Sequence, residues 1–113
     1  MDCLFCAIAA GDIPSEIVHE DEQVIAFRDI SPQAPTHVQI IPKKHIATVN
    51  DIDAADEQLV GHMVTTAAAI AKSEGFAEDG YRLVMNTNQH GCQTVFHIHL
   101  HLIGGRQMGW PPG

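Results

Sequence analysis

The stretch "VFHIHLHLIGG", residues 95–105, sets His97, His99 and His101 at every second position among Phe96, Ile98, Leu100 and Leu102. Strict alternation of this kind predicts a β-strand with one face buried. Successive residues of a strand point to opposite faces. The four apolar side chains are therefore expected in a core and the three imidazoles on the other face. At a rise of ~3.3 Å per residue, neighbouring histidines stand ~6.6 Å apart and the outer two ~13 Å. A straight strand does not close all three on one metal, although an adjacent pair could share one. Imidazole is neutral near pH 7 and serves as nucleophile, base, acid or ligand. A single histidine on a polar face is ordinarily just solvated, the reading taken for His19, His62 and His90. Three in register, backed by an unbroken apolar face, point to a site.

The elements around this strand follow from changes of period. "EIVHEDEQVIAFRDI" (16–30) reads as a β-hairpin with Glu20, Asp21 and Glu22 at its turn. "SPQAP" (31–35) interrupts the chain, because proline cannot join an interior ladder. "THVQIIP" (36–42) is a third strand. In "AADEQLVGHMVTTAAAIAKSEG" (54–75) Leu59, Val60, Met63, Val64, Ala67, Ile70 and Ala71 recur at helical spacing. Asp53 is the expected N-cap, Asp56 and Glu57 suit the first turn, and Gly75 is the expected stop. "YRLVMN" (81–86) and "TVFHIHLHLI" (94–103) complete five strands, joined by the polar loop "TNQHGCQ". The sum is an α+β domain over 1–113, an antiparallel sheet carrying one long helix on one side.

Composition narrows the function. With 45% hydrophobic residues and no low-complexity segment, the 113-residue chain can bury one core. A net charge of -8 argues against a nucleic-acid surface, which needs a basic footprint, but leaves room for one small phosphate ester. Three cysteines do not form a secreted disulfide framework. The opening "MDCLFCAIAAGD" lacks the basic n-region of a signal peptide, and no apolar run reaches the ~18 residues of a membrane span. The expected location is the cytoplasm, with no membrane partner.

The motifs resemble a known family. "HIHLHLI" matches the His-φ-His-φ-His-φ-φ signature of the histidine triad (HIT) superfamily. "FRDISPQAPTHVQIIPKKHI" (27–46) and "GGRQMGWPPG" (104–113) are similar to its Hint branch, the histidine triad nucleotide-binding proteins. The resemblance covers essentially the whole chain. It implies a HIT-like fold, with a homodimer joining two sheets into one. It also implies a hydrolase of nucleoside 5'-monophosphoramidates, in which His99 attacks the α-phosphorus to give a nucleotidyl-histidine. On the same resemblance His101 and His37 contact the phosphate, and Thr94 is a hydroxyl donor to the phosphate or leaving group. Phe27 walls the base, Asp29 with Ile30 meets the ribose, and Asn86 with the Cys92 and Gln93 backbone lies at the phosphate. For Asp29 and Asn86 the residues alone favour turn or strand-end roles. Two departures stand out: Cys92 where relatives usually carry glycine, and Arg28 where histidine is common.

Cys3 and Cys6 have the C-x₂-C spacing of a zinc half-site, of a redox couple, or of two buried small hydrophobes. By resemblance to bacterial-type HIT proteins, His45 and His97 complete a structural zinc site. Other functions compatible with the sequence are a dinucleoside-polyphosphate hydrolase or nucleotidyl transferase of the same superfamily, and a non-catalytic nucleotide-binding module. A metallohydrolase needs a further carboxylate or histidine close by, which strand geometry disfavours.

Overall fold

The hairpin forms as β1 (Ile17–Glu20) and β2 (Val24–Arg28). Its turn is built on Asp21, whose Oδ1 accepts from the Gln23 and Val24 backbone N–H groups at 2.8 and 3.0 Å. A computed structural model describes residues 3–113. In it β3 (Thr36–Pro42), β4 (Tyr81–Val84) and β5 (Leu100–Gly104) extend the hairpin into a five-stranded sheet of order β1-β2-β3-β5-β4. Every neighbouring pair is antiparallel. This is the α+β architecture that the sequence implies.

The helical segment begins differently from its pattern. Asp53 caps a 3-10 turn, Ala54–Asp56, and the helix α2 runs Glu57–Ser73 with Asp56 at its N-cap. The Asp56 carboxylate is drawn off by Lys44, 2.6 Å away, so it does not serve the helix end. Gly75 ends the segment at φ +88, a left-handed conformation that only glycine adopts without strain. Met63, Ala67, Ile70 and Ala71 of α2 pack on Val24, Ala26, Val38, Ile40, Leu100 and Leu102 of the sheet.

A second helix, α1 (Leu4–Ala9), covers part of the opposite face and has no counterpart in the sequence reading. Six residues hold too few turns for a periodic signal. Cys3 caps it, its sulfur accepting from the Cys6 N–H, and Phe5 and Ile8 pack on Ile25, Phe27 and Ile41. The ring of Phe5 meets that of Phe27 edge-on at 5.5 Å.

Two further expectations need correction. The strand expected over 94–103 is regular only from Leu100; residues 95–97 bend. Phe96 is consequently 50% exposed instead of lying in the core, while Ile98, Leu100 and Leu102 are buried as expected. His19 and His62 are not merely solvated. Both donate Nε2–H to Asp21 Oδ2, at 2.8 and 2.7 Å, clasping the hairpin turn to α2. His90 is exposed.

The sheet and the end of α2 meet where Phe76 lies against Gly104. A β-carbon on Gly104 would overlap the Phe76 ring. Gly104→Ala is therefore expected to destabilise the fold by about 1–3 kcal/mol through overpacking. A urea denaturation midpoint equal to wild type would contradict this account.

Candidate active site

On the face of the sheet away from α2, Phe27, Gln39 and His101 are neighbours in register across β2, β3 and β5. They form the floor of an open cavity of about 720 Å³. Leu4, Phe5 and Ile8 of α1, with Ile13 and Pro14, supply an apolar wall, and Asn86, Cys92, Thr94 and His99 supply a polar one. Such a mixture suits a small molecule with a flat apolar part and a charged end.

The protons of the histidines are fixed by main-chain groups. His99 Nδ1 lies 2.8 Å from the His97 carbonyl oxygen. A carbonyl only accepts, so Nδ1 carries the proton and Nε2 keeps its lone pair. His37 Nδ1 accepts from the Gln33 backbone N–H at 3.0 Å, which puts the proton of neutral His37 on Nε2. That Nε2–H donates to His101 Nδ1 at 2.8 Å, leaving His101 with an Nε2–H of its own. Burial keeps both imidazoles neutral. It lowers the pKa of His37, partly offset by Asp29, and that of His101 to about 4, with His99 and His37 adding to the effect. The His99 ring lies against Phe5 on one side and His101 on the other, each centroid 5.0 Å away.

Of the residues assigned by sequence, Phe27, Asp29, Ile30, Asn86, Cys92, Thr94, His99 and His101 all line this cavity. His37 stands behind His101. The Gln93 side chain accepts from the Asn88 N–H and donates to the Ala47 and Val95 carbonyls, bracing the loop before the histidines. Asn86 likewise holds that loop, donating to the Gly91 carbonyl at 2.6 Å. Cys92 has φ +63, a left-handed conformation that glycine would adopt without strain. Arg28 lines the cavity, but its guanidinium is engaged by Glu74 at 2.6 Å and Glu16 at 3.2 Å.

Sequence reasoning missed Gln39, whose Nε2 donates to Asp29 Oδ2 at 2.7 Å. A polar residue at a floor position was the available signal. It also missed α1, for which the Phe5–Ile8 spacing was too short to register.

Beside the cavity, Cys3, Cys6, His45 and His97 converge. The two Nδ1 atoms are 3.2 Å apart, Cys6 Sγ is 3.3 and 3.5 Å from those of His45 and His97, and Cys3 Sγ is 3.4 Å from His97 Nδ1. Tetrahedral zinc imposes nitrogen–nitrogen and nitrogen–sulfur separations of about 3.3 and 3.5 Å. His97 Nε2 donates to the Pro42 carbonyl at 2.7 Å, so its Nδ1 lone pair is the one facing the sulfurs. The residues fit the ion. A second group, Asp29, His37 and His101, is also close enough to share a metal, contrary to the expectation from strand geometry. A metal on His37 Nε2 would force a proton onto Nδ1, against the Gln33 N–H, so the chemistry of this group favours hydrogen bonding.

Comparison with known proteins agrees with this geometry. A family profile described as HIT domain matches residues 10–108. A protein of Escherichia coli strain K12 named purine nucleoside phosphoramidase is 60% identical over 108 residues, covering 96% of this chain and 91% of that protein. The 14 kDa zinc-binding protein of Zea mays is 51% identical over 112 residues, covering 97% of this chain and 87% of its own. The crystal structure of a HIT family hydrolase from Legionella pneumophila Philadelphia 1 superimposes with a TM-score of 0.98 at 59% identity, covering 99% of this chain and 100% of that one. The chain, with its HIT-like fold, belongs to the HIT domain family.

Proposed function

We propose that this chain hydrolyses purine nucleoside 5'-monophosphoramidates through a nucleotidyl-histidine on His99. The observation that carries the reading is the bond from His99 Nδ1–H to the His97 carbonyl, which leaves the Nε2 lone pair as nucleophile beside an open cavity. Attack forms an Nε2–phosphorus bond and breaks the phosphorus–nitrogen bond, the departing amine taking one proton from solvent, which the later attack of water on phosphorus returns. The carbonyl then faces an imidazolium and stabilises its charge. Water attacks the same phosphorus, releasing the nucleoside monophosphate and returning His99 to its starting form. His101 Nε2–H and the Thr94 hydroxyl are donors to the phosphate oxygens. The base lies among Phe5, Ile8 and Phe27, and Asp29 accepts from the ribose hydroxyls. The name of the Escherichia coli relative supports the substrate class.

Cys3, Cys6, His45 and His97 hold a structural zinc in this proposal. Four protein donors leave no open position, so the ion's contribution is to tie α1 to the strands. The zinc-binding relative and the donor separations support it. The chain is also proposed to be a homodimer through β4, a sheet edge open to a second copy, and the neighbouring α2. No helix among the described residues is long and apolar enough to cross a membrane, and three unpaired cysteines suit the reducing cytoplasm. The net charge of -8 disfavours nucleic acid.

Three outcomes check these points. His99→Ala is expected to lower turnover of an adenosine phosphoramidate by about three orders of magnitude or more, and to lose the AMP adduct seen by mass spectrometry of rapidly quenched wild type. Near wild-type turnover would reject the mechanism. Protein purified without chelator should contain about one zinc per chain, with chelation lowering the melting temperature more than the rate. Zinc-free protein with unchanged stability in Cys3→Ser would reduce the cysteines to packing. Sedimentation at micromolar concentration should give a dimer; a monomer alone would remove the β4 interface.

A further inference from the structure

Gln39 is out of keeping with the sheet face around it. It lies between Phe27 and His101 in register, and Ile25 and Ile41 continue that face into the apolar cluster under α1. Its Nε2 donates to Asp29 Oδ2, while its Oε1 is sealed from solvent and has no partner among the described residues. The orientation of the amide is not free, because an ionised carboxylate only accepts. A leucine or methionine would fill similar space without stranding a buried acceptor, so glutamine lowers stability here. A side chain retained on those terms calls for a role in the site.

The role follows from what competes for Asp29. Its Oδ1 accepts from the Ser31 N–H at 2.7 Å and its Oδ2 from Gln39 at 2.7 Å. His37 Nε2 is 3.4 Å from that same Oδ2 but 2.8 Å from His101 Nδ1. His37 has one proton to give from Nε2, and it goes to His101. Each Asp29 oxygen retains a further lone pair for a sugar hydroxyl.

We propose that Gln39 is a positioning residue that holds the Asp29 carboxylate toward the substrate's sugar and off the His37–His101 pair. The inference rests on the reading that Asp29 meets the ribose. Without the amide, Oδ2 turns to the His37 Nε2–H and competes with His101 Nδ1 for it. Among the described residues, the ionisable groups in contact with His37 are Asp29 and His101.

The test titrates AMP and 2',3'-dideoxy-AMP calorimetrically into wild type and Gln39→Leu, and follows His37 by imidazole nitrogen NMR against pH. Gln39→Met runs in parallel, should the leucine variant misfold. The variant is expected to bind AMP roughly three- to ten-fold more weakly, with dideoxy-AMP unchanged. His37 is expected to titrate at higher pH, because a closer anion favours the charged form. A mere packing role would weaken both nucleotides alike and leave His37 where it was. Equal losses, no loss, or an unmoved His37 would overturn the inference. Failure of wild type to distinguish the two nucleotides would instead overturn the ribose reading of Asp29.

Discussion

The 2.8 Å bond between His99 Nδ1 and the His97 carbonyl joins two functions in one short segment. His97 turns its own ring away, giving Nε2–H to Pro42 and Nδ1 to the sulfurs, while its carbonyl sets the proton of His99. On the other side of the cavity, the Gln33 N–H sets His37, and His37 sets His101. Imidazoles left to solvent exchange between tautomers. Here main-chain groups hold His99 and His37 in one form, and His37 holds His101, so a lone pair is available at His99 and an N–H at His101 without prior rearrangement.

Little positive charge faces this cavity. Arg28, at its edge, is neutralised by Glu16 and Glu74, and the chain carries net -8. His37 is buried and His101 half-buried, and desolvation lowers the pKa of both. In the proposed reaction, phosphate affinity would then depend on directed donors more than on attraction at a distance, favouring discrimination by shape and hydrogen bonding over fast capture. The apolar wall from Phe5 and Ile8 provides the other half of the recognition.

Much of this was legible because periodicity reports burial. β2, β3 and α2 are sandwiched or packed on one core, so their patterns are long and clear. The bend at residues 95–97 was invisible, since alternation continues through it; the backbone departs from a strand to bring His97 to Cys3, Cys6 and His45. The part of Gln33 was hidden for a different reason: it acts through its N–H, which every residue but proline possesses. "SPQAP" reads as a chain break, and it is one, yet the break is what frees that N–H from the sheet ladder to meet His37. Gln39 was lost because its meaning lies in Asp29, ten residues away along the chain.

The strand order has a consequence for how the molecule comes together. β1, β2 and β3 follow one another in sequence and pair as they come, whereas β4 and β5 pair on the far side of α2. These units rest mainly on short-range contacts and are the quickest to assemble, while the β3–β5 ladder must close the long intervening loop. His37 and Gln39 lie on one side of that last seam and His101 on the other. A chain with only its local units formed therefore has every residue of the site and no site, and competence arrives together with the completed topology.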